Sequence, residues 1–380
     1  MKYDLVIVTS VPFPNGQAPA NRILSYAKGI AKEKSVLLLT FAGPGYGDKS
    51  NTVNKGTFNG VDFKYMGKAY MENRPNKVIR ALMFLYRMLM LYVSVLFLYN
   101  YKSILVYSRN TGLIKKLRFI TNLKHSSLYC DITEAAGQRK TPESALERKK
   151  SCECLQGTIA ISKPIFDTFL DNIDNTKKIY LPVLVDMDRF PIPIQSVKEK
   201  YIFCCSGANL ERDGFLDCLN GFLLFNKNNP GYIFKIASAI NESDSYHKRC
   251  KEIIDNNPNV IEYLGVLPSK DIPSFMINAT ALMLTPHNEY QTQGFPTKLG
   301  EYLASGTPVI CSKIRDLEIV DTDCCLMVSP NSPKEISEKL EYIINNPIKA
   351  REIGLKGRQW VEQNFTYDKY KSALINFLKI

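Results

Sequence analysis

The sequence predicts an α/β protein made of two doubly wound domains, each with a parallel sheet between layers of helices. Short apolar runs alternate with helical patterns along the whole chain, and this alternation is typical of βαβ units. The chain has 380 residues, which is long for a single hydrophobic core. Its composition, with 45% hydrophobic and 23% charged residues, is that of a globular protein.

The first half contains five predicted strands, with a helix at about 17–33 between the first two. These strands lie at 3–10, 35–40, 104–108, 127–132 and 157–162. Residues 178–193 combine prolines with apolar residues, and we interpret them as the crossing between the domains. We therefore place the first domain at 1–195.

The second half repeats the pattern with six predicted strands. They lie at 201–207, 232–238, 260–265, 281–286, 308–312 and 325–330. We place the second domain at 196–364 and a terminal helix, packed back on the first domain, at 365–380. Doubly wound sheets bind ligands outside the carboxyl ends of their strands, so two such domains facing one another are expected to bind a ligand in the cleft between them.

Residues 293–310 read QGFPTKLGEYLASGTPVI and predict a loop, a short helix and a buried strand. Gly294 and Pro296 break the chain before the helix. About two turns later, Gly306 suits the left-handed backbone that ends a helix, and Pro308 prevents the helix from continuing. The strand that follows is apolar throughout, as is typical of a buried parallel strand.

The start of this helix is a candidate phosphate site. Thr297 can cap the helix, and the backbone N–H groups of residues 298–300 lie at the positive end of the helix dipole, with Lys298 beside them. Glu301, one step deeper, can accept a hydrogen bond from a hydroxyl. A phosphate next to a sugar hydroxyl indicates a nucleotide or a nucleotide sugar.

The net charge of +12 is concentrated in the first half. Residues 1–190 contain 28 Lys and Arg against 15 Asp and Glu, whereas the remaining 21 basic and 22 acidic residues nearly cancel. Such asymmetry indicates a basic surface that faces nucleic acid, lipid headgroups or a diphosphate substrate. The alternative is that the lysines simply cover a solvated face.

The N-terminus enters a strand pattern almost at once, so no secretory leader is expected. The ten cysteines lie mostly in apolar segments, which suits reduced thiols in the cytosol. Cys152 and Cys154 form the one close pair with exposed flanks, and without a second ligand pair we expect no metal site and no cofactor. The sequence contains neither a Walker loop nor G-x-G-x-x-G, which argues against kinases and dehydrogenases.

Residues 81–99 predict an unusually apolar helix, with Arg87 and Ser94 as its polar positions. Arg80, Arg87 and Ser94 recur every seven residues and so share one narrow side of the helix. Three interpretations remain open: a transmembrane span, a buried helix, or partial insertion into a membrane surface. We favour the last because basic residues flank the helix, as expected near anionic headgroups. The flanking residues are Lys68, Arg74, Lys77, Arg80 and Lys102.

The motif FPTKLGEYLASGTPVICS, at 295–312, resembles the nucleotide-binding domain of the GT-B glycosyltransferases, most closely the retaining family 4 (glycosyl transferases group 1). The resemblance covers roughly 200–365 and is looser in the first half. PVLVDMDRF, at 182–190, resembles the family's link between domains, although Val183 and Leu184 replace its usual Asn-Gly. The resemblance implies the GT-B fold, with two Rossmann-like domains facing a central cleft, and a nucleotide-sugar donor.

The resemblance also implies catalytic residues. Glu301 corresponds to the second acid of the family's E-x7-E motif, which binds the nucleotide ribose, and Gln293 replaces the first acid. By this resemblance, Arg212 occupies the position of the lysine that neutralises the leaving diphosphate. Ala208 or Asn209 occupies the position of the family's arginine, so Lys298 is our candidate for the second cation.

Other cleft residues follow from their positions in the pattern. The predicted donor-binding residues are Gly207, Gln293, Gly294, Phe295, Pro296, Thr297 and Leu299. The predicted residues of the acceptor side or cleft are Gly16, Arg22, Asp131, Arg139 and His287. For the last group, a solvated loop or structural packing is the alternative. The family needs no general base from the protein, because the leaving phosphate can take the proton.

The implied function is transfer of a sugar from a nucleotide sugar to a saccharide acceptor on a membrane lipid diphosphate, in bacterial surface polysaccharide synthesis. We expect the protein at the inner face of the plasma membrane, bound through its basic first half. The alternative is a catalytically silent GT-B scaffold or partner subunit, and a GT-B epimerase remains open. Nucleic-acid binding is not expected, because aromatic residues are not interleaved with the basic ones.

Overall fold

The computed structural model of the protein describes most of the chain. The described residues are 2–16, 18–45, 49–67, 76–108, 110–135, 141–192, 198–207, 209–287, 297–313, 320 and 322–380, without the side chains of 297 and 322. They form two compact units: Met1–Leu184 together with Tyr367–Ile380, and Val185–Thr366. Each unit has its own sheet and its own hydrophobic core.

The boundary between the units lies earlier in the chain than the predicted position after residue 195. The Val185 backbone N–H donates to the Phe365 carbonyl at 2.7 Å, and the Phe190 carbonyl accepts from Arg358 at 2.9 Å. Phe190 is fully buried. These contacts tie the segment after Leu184 to the second unit, so the chain has already left the first unit before its prolines at 191 and 193.

The first unit contains an eight-stranded sheet with the order β3-β4-β2-β1-β5-β6-β7-β8. Its strands are β1 Lys2–Thr9, β2 Val36–Thr40, β3 Lys55–Phe58, β4 Val61–Tyr65, β5 Asn100–Tyr107, β6 Ser127–Ile132, β7 Gly157–Ala160 and β8 Lys178–Tyr180. Neighbouring strands are parallel except β3 and β4, which form a hairpin. The sequence prediction missed this hairpin, although Asn59 and Gly60 have the positive φ values, 49° and 78°, that favour a two-residue turn.

Five helices belong to the described part of the first unit. They are α1 Ala18–Ala31, α2 Lys77–Val93, α3 Thr111–Leu123, α4 Pro142–Glu153 and the C-terminal helix, numbered α11, Tyr367–Leu378. Helix α11 packs on α1, where the Tyr367 ring lies so close to Gly29 that a Cβ atom there would be 2.2 Å from it. Ser103 in the sheet also donates to the Leu378 carbonyl at 2.6 Å. The last helix therefore completes the first unit.

Helix α2 exposes most of its apolar surface. Residues 77–86 are exposed apart from Met83, whereas Met88, Leu91 and Val95 further along are buried. A π-helical turn, Ser94–Leu98, continues the helix to the next strand. Within the described ranges, Lys77–Leu98 is the helical stretch whose length and hydropathy suffice to cross a membrane. Because so much of it is exposed, the interpretation of this segment as a buried helix is wrong.

The exposed side chains of α2 include an apolar stripe, formed by Val78, Leu82, Leu85 and Leu89. These side chains are 66%, 60%, 62% and 60% exposed. Spacings of four, three and four residues place them on one face of the helix. A helix on the surface of a sheet normally turns polar side chains outward, so this face is unusual for a protein surrounded by water.

The second unit contains a six-stranded parallel sheet with the order β11-β10-β9-β12-β13-β14. Its strands are β9 Tyr201–Cys205, β10 Ile233–Ala237, β11 Ile261–Gly265, β12 Ala281–Leu284, β13 Val309–Ser312 and β14 Leu326–Val328. Its helices are α5 Phe215–Asn228, α6 Ser245–Asp255, α7 Ile272–Asn278, α8 Thr297–Ala304, α9 Pro333–Asn345 and α10 Pro347–Asn364. The predicted doubly wound architecture of this half is confirmed.

Candidate functional site

The strand order of the second unit reverses between β9 and β12. From β9 the chain proceeds to β10 and β11 on one side and then returns to β12 on the other. At such a reversal, the loops that follow the two strands leave in opposite directions and open a crevice at the carboxyl edge of the sheet. We call this place the switch point. The loop after β9 and helix α8, which comes after β12, both contribute to it.

The loop after β9 is fixed against the end of β12 by Gly214. This residue has a φ of 68°, and a Cβ atom on it would lie 1.7 Å from the Thr285 carbonyl oxygen. Thr285 Oγ1 also donates to the Gly214 carbonyl at 3.0 Å. Only glycine satisfies both the left-handed backbone and this close approach. The residues just before Gly214 are therefore held at the switch point.

Helix α8 is anchored to the same edge of the sheet by Tyr302. The side chain of Tyr302 is fully buried, and its Oη accepts from the backbone N–H of Cys205, the last residue of β9, at 2.7 Å. The helix ends at Ala304, and Gly306 has a φ of 69°, so the predicted left-handed termination is confirmed. The first turn of α8 consequently lies beside the end of β9.

Three charged side chains meet where the loop and the helix come together. Asp213 accepts from Lys298 Nζ at 2.5 Å and from Arg212 Nε at 3.2 Å, and Ser206 Oγ donates to it at 2.7 Å. Arg212, which we assigned to the family's lysine position, therefore contacts the cluster through Asp213, the residue directly before Gly214. The buried cation is Lys298, whose side chain is 18% exposed, compared with 46% for Arg212.

The electrostatics of this cluster favour its charged forms. Burial alone would raise the pKa of Asp213, but the attraction of Lys298 and Arg212 outweighs it and holds the pKa below its ordinary value. Burial would likewise lower the pKa of Lys298, but Asp213 holds it above the ordinary value. Two cations and one carboxylate leave a net positive charge beside the first turn of α8, whose backbone N–H groups lack intrahelical acceptors. This arrangement can bind a phosphate.

We expect the Asp213–Lys298 pair to stabilise the protein between about pH 4 and pH 10. The folded pKa of Asp213 is lowered, so its contribution is present above the unfolded value of about 3.9 and is lost as pH falls through the folded value. The folded pKa of Lys298 is raised, so its contribution is present below about 10.4 and is lost as pH rises through the folded value.

Urea unfolding of the parent protein and of the double variant Asp213→Asn, Lys298→Met checks this prediction. The difference between their free energies of unfolding should be constant from about pH 5 to pH 9 and should change as the pH falls below about 4. Other carboxylates titrate equally in both proteins and cancel. A difference that stays constant down to pH 2 would contradict the pairing.

Glu301 is held by a residue that the sequence prediction missed. Arg189 Nη1 forms an ion pair with Glu301 Oε1, and Arg189 Nη2 donates to the Ser269 carbonyl at 3.2 Å. Both charged side chains are only 20% exposed. Arg189 lies in the short 3₁₀ turn Met187–Arg189. In the sequence, Arg189 is a single arginine within VDMDRF, at 185–190. We interpreted that stretch only as the link between the domains and assigned no role to its arginine.

Comparison with known proteins finds a family match in the second unit. Residues 186–360 match the family model of the glycosyl transferases group 1, a match that covers nearly all of the second unit. An uncharacterised glycosyltransferase of Methanocaldococcus jannaschii is 26% identical over 132 residues, which are 34% of this chain and 36% of the relative. That match therefore spans about a third of the relative's length.

Solved structures show the fold of the whole chain. HepE of Anabaena, solved with UDP, has a TM-score of 0.72 at 14% identity, with 99% of each chain covered. Sucrose-phosphate synthase of Thermosynechococcus elongatus has a TM-score of 0.71 at 16% identity, with 99% of this chain and 98% of that one covered. The chain has the GT-B fold, as the sequence predicted.

Several predicted donor-binding residues of the second unit fall outside the described residues: Gln293, Gly294, Phe295, Pro296 and the side chain of Thr297. Leu299 is fully buried, so its side chain belongs to the core and only its backbone can approach a donor. Gly207 follows β9 at the switch point, and a Cβ atom on it would meet no atom within 4 Å. Its backbone is therefore accessible to a ligand.

His287, which we predicted at the cleft, follows β12 at the carboxyl edge of the same sheet. Its Nε2 lies 3.9 Å from Asp217 Oδ2, in the first turn of α5. Burial raises the pKa of Asp217, and the nearby His287 only partly offsets this effect. No group of three His, Cys, Asp or Glu side chains in the described ranges is arranged to hold a metal ion.

Two predicted acceptor residues of the first unit have a structural role instead. Arg22 forms a two-pronged ion pair with Asp131 at 2.8 and 2.9 Å, and its other hydrogen bonds go to the carbonyls of Leu181 and Pro182. Their side chains are 4% and 0% exposed. A guanidinium with this many protein partners and a carboxylate without exposure cannot position an acceptor. The pair ties α1 and β6 to the segment after β8.

The two remaining acceptor-side predictions of the first unit are Gly16 and Arg139. Gly16 lies before α1, where a Cβ atom would be 2.8 Å from that of Ala20 and 3.3 Å from Cγ of Pro12. Its lack of a side chain thus serves close packing. Arg139 falls outside the described residues, so its predicted role stays a prediction.

Proposed function

We propose that the protein is a retaining glycosyltransferase that moves a hexose from a nucleoside diphosphate sugar to a saccharide acceptor. The observation that carries this proposal is the cluster of Lys298, Arg212 and Asp213 at the switch point of a group 1 domain, with Glu301 one turn along the same helix. A diphosphate needs positive charge and backbone N–H donors, and a ribose needs an acceptor for its hydroxyls. This site offers both.

In the proposed reaction, the bond between the anomeric carbon of the sugar and the β-phosphate oxygen breaks. The acceptor hydroxyl oxygen forms a bond to the same carbon from the same face, and its proton passes to the leaving phosphate. Lys298 and Arg212 stabilise the charge that develops on the diphosphate. Glu301 orients the nucleotide through the ribose. HepE of Anabaena is also solved with UDP-glucose, which supports a nucleoside diphosphate hexose as donor here.

We further propose that the acceptor is lipid-linked and that the protein works at the inner face of the bacterial plasma membrane, in surface polysaccharide synthesis. The apolar stripe of α2 supports this proposal, since a lipid interface would cover these side chains. A spanning helix needs about 20 residues. Residues 88–95, in α2 and the π-helical turn after it, include side chains that are buried within the first unit, which leaves too few exposed residues for a span. The structure therefore favours a helix that lies in the interface.

Calorimetric titration of the purified protein with UDP, GDP, dTDP and CMP tests the proposal. One nucleoside diphosphate should bind, and Glu301→Ala should weaken that binding by about tenfold or more, as expected for a lost hydrogen bond to a charged group. The sugar nucleotide of the same base should then be consumed with retention at the anomeric carbon, which NMR of the product reports. If no nucleotide binds, a catalytically silent scaffold becomes the better interpretation.

A further inference from the structure

Arg87 lies on the side of α2 that is opposite to the apolar stripe. It is two residues from both Leu85 and Leu89, which is about 200° around a helix. Its guanidinium packs against two glycines: a Cβ atom on Gly43 would lie 2.7 Å from Nη2, and one on Gly67 would lie 2.7 Å from Nε. The missing side chains of these glycines make room for the guanidinium.

The two glycines place Arg87 at the carboxyl edge of the first sheet. Gly43 follows β2 and Gly67 follows β4, so both lie at the carboxyl edge of parallel strands. Doubly wound sheets bind their ligands at this edge. The guanidinium of Arg87 is therefore presented at an edge where a substrate is expected, although the residue itself belongs to an apolar helix.

Arg87 has no hydrogen bond and no ion pair with the residues that the structure describes. It is nevertheless half-buried, and the loss of water lowers its pKa. A partly desolvated guanidinium without a counter-charge is unfavourable, and its planar donors match the oxygens of a phosphate. An anion bound to Arg87 would thus offset the free-energy cost of desolvating the guanidinium and would accept charge-assisted hydrogen bonds from it.

A second arginine extends the basic side of the helix. Arg80 precedes Arg87 by seven residues, which is about two turns, so the two side chains point to the same side. Arg80 is exposed. The helix consequently has cations on one side and the apolar stripe on the other. A lipid-linked sugar would match both sides, because its lipid tail is apolar like the stripe and its phosphate is an anion that the arginines can bind.

We infer that Arg87 binds the phosphate of a lipid-linked acceptor whose lipid lies in the membrane on which the apolar stripe rests. This inference rests on the proposed function and extends it, because it names the lipid phosphate as the group by which the protein recognises the acceptor. The basic first half, with 28 Lys and Arg against 15 Asp and Glu among residues 1–190, complements an anionic surface of this kind. An ordinary phospholipid headgroup offers the same phosphate chemistry, and the experiment separates the two sources.

Flotation of the full-length protein with three kinds of vesicle tests the inference. The vesicles contain phosphatidylcholine alone, phosphatidylcholine with phosphatidylglycerol, or phosphatidylcholine with a polyprenyl diphosphate. The variants are Arg87→Met, which removes the charge, and Gly67→Ala, which keeps the charge but displaces the guanidinium. The double variant Leu82→Gln, Leu85→Gln serves as a matched control for the apolar stripe. Thermal melting shows that each variant is folded.

Arg87→Met and Gly67→Ala should weaken binding to the polyprenyl diphosphate vesicles by about tenfold, which corresponds to about 1.4 kcal/mol. Binding to the phosphatidylglycerol vesicles should change by less than about twofold, because one charge among many contributes little to a surface interaction. The double leucine variant should bind all three vesicles less well. An equal loss on both anionic vesicles, or no loss on either, would overturn the assignment of Arg87 to the acceptor.

Calorimetric titration of the same variants separates this inference from the proposed function. Arg87 lies in the first unit, so Arg87→Met should bind the nucleoside diphosphate as the parent does. If the parent binds a nucleotide but the vesicle results fail, only the role of Arg87 is wrong. If the parent binds no nucleotide, the proposed donor site is wrong, and the vesicles still report on Arg87.

Discussion

Replacing Lys298 with methionine is expected to lower turnover of the nucleotide sugar by about 10²–10³-fold, the usual effect of removing a donor aimed at developing negative charge. Lys298 is the less exposed of the two cations at the switch point. Without it, Asp213 would retain only Arg212 as a cationic partner, and the cluster would change from net positive to neutral beside the leaving diphosphate. Initial rates of donor consumption at saturating donor measure this effect.

Two further variants show whether the loss arises from charge. In the double variant Lys298→Met, Asp213→Asn the buried acid is neutralised, so part of the lost turnover should return. Arg212→Met should cost only about tenfold, because an exposed cation is screened by water. If Arg212→Met lowers turnover more than Lys298→Met does, then the assignment that we first made from the sequence, with Arg212 in the family's lysine position, is correct after all.

Local chemistry in the sequence accounts for most of the fold. Apolar runs bounded by breakers predicted five of the eight strands of the first sheet and all six of the second, whereas β8 lies in the stretch at 178–193 that we interpreted as the crossing between the domains. The two features Gly306 and Pro308 predicted the end of α8. The hairpin of β3 and β4 was missed because its strands are short and partly polar. In α2 the sequence predicted a long apolar helix, but a helix that is apolar on nearly every side does not reveal which side is packed.

The charged contacts of the site could not be predicted in the same way. Lys298 and Asp213 are 85 residues apart in the chain, and Arg189 and Glu301 are 112 apart. No periodicity links residues at such distances, since the pairing depends on which strands become neighbours in the sheet. Arg22 shows the converse error: its position after the first strand indicated a cleft residue, whereas the fold brings Asp131 of a distant strand to it.

Replacing Arg189 with glutamine is expected to weaken binding of the nucleoside diphosphate by about tenfold or more, although Arg189 is not proposed to touch the nucleotide. Arg189 holds the Glu301 carboxylate through one end of its guanidinium and is itself fixed by the Ser269 carbonyl. A carboxylate has about four acceptor positions, so it can bind both the arginine and the ribose hydroxyls. Without Arg189 the carboxylate loses a contact that orients it toward the ribose.

A nucleotide that lacks the ribose hydroxyls distinguishes this positioning role from general damage to the fold. Arg189→Gln and Glu301→Gln should each weaken binding of the nucleoside diphosphate, and the double variant should be little worse than either, because both changes remove one shared interaction. Neither change should alter the affinity for the 2′,3′-dideoxy analogue, which offers Glu301 nothing to bind. If Arg189→Gln weakens binding of the analogue as much as that of the natural nucleotide, then Arg189 acts on the phosphates or on the stability of the domain, and Glu301 does not depend on it.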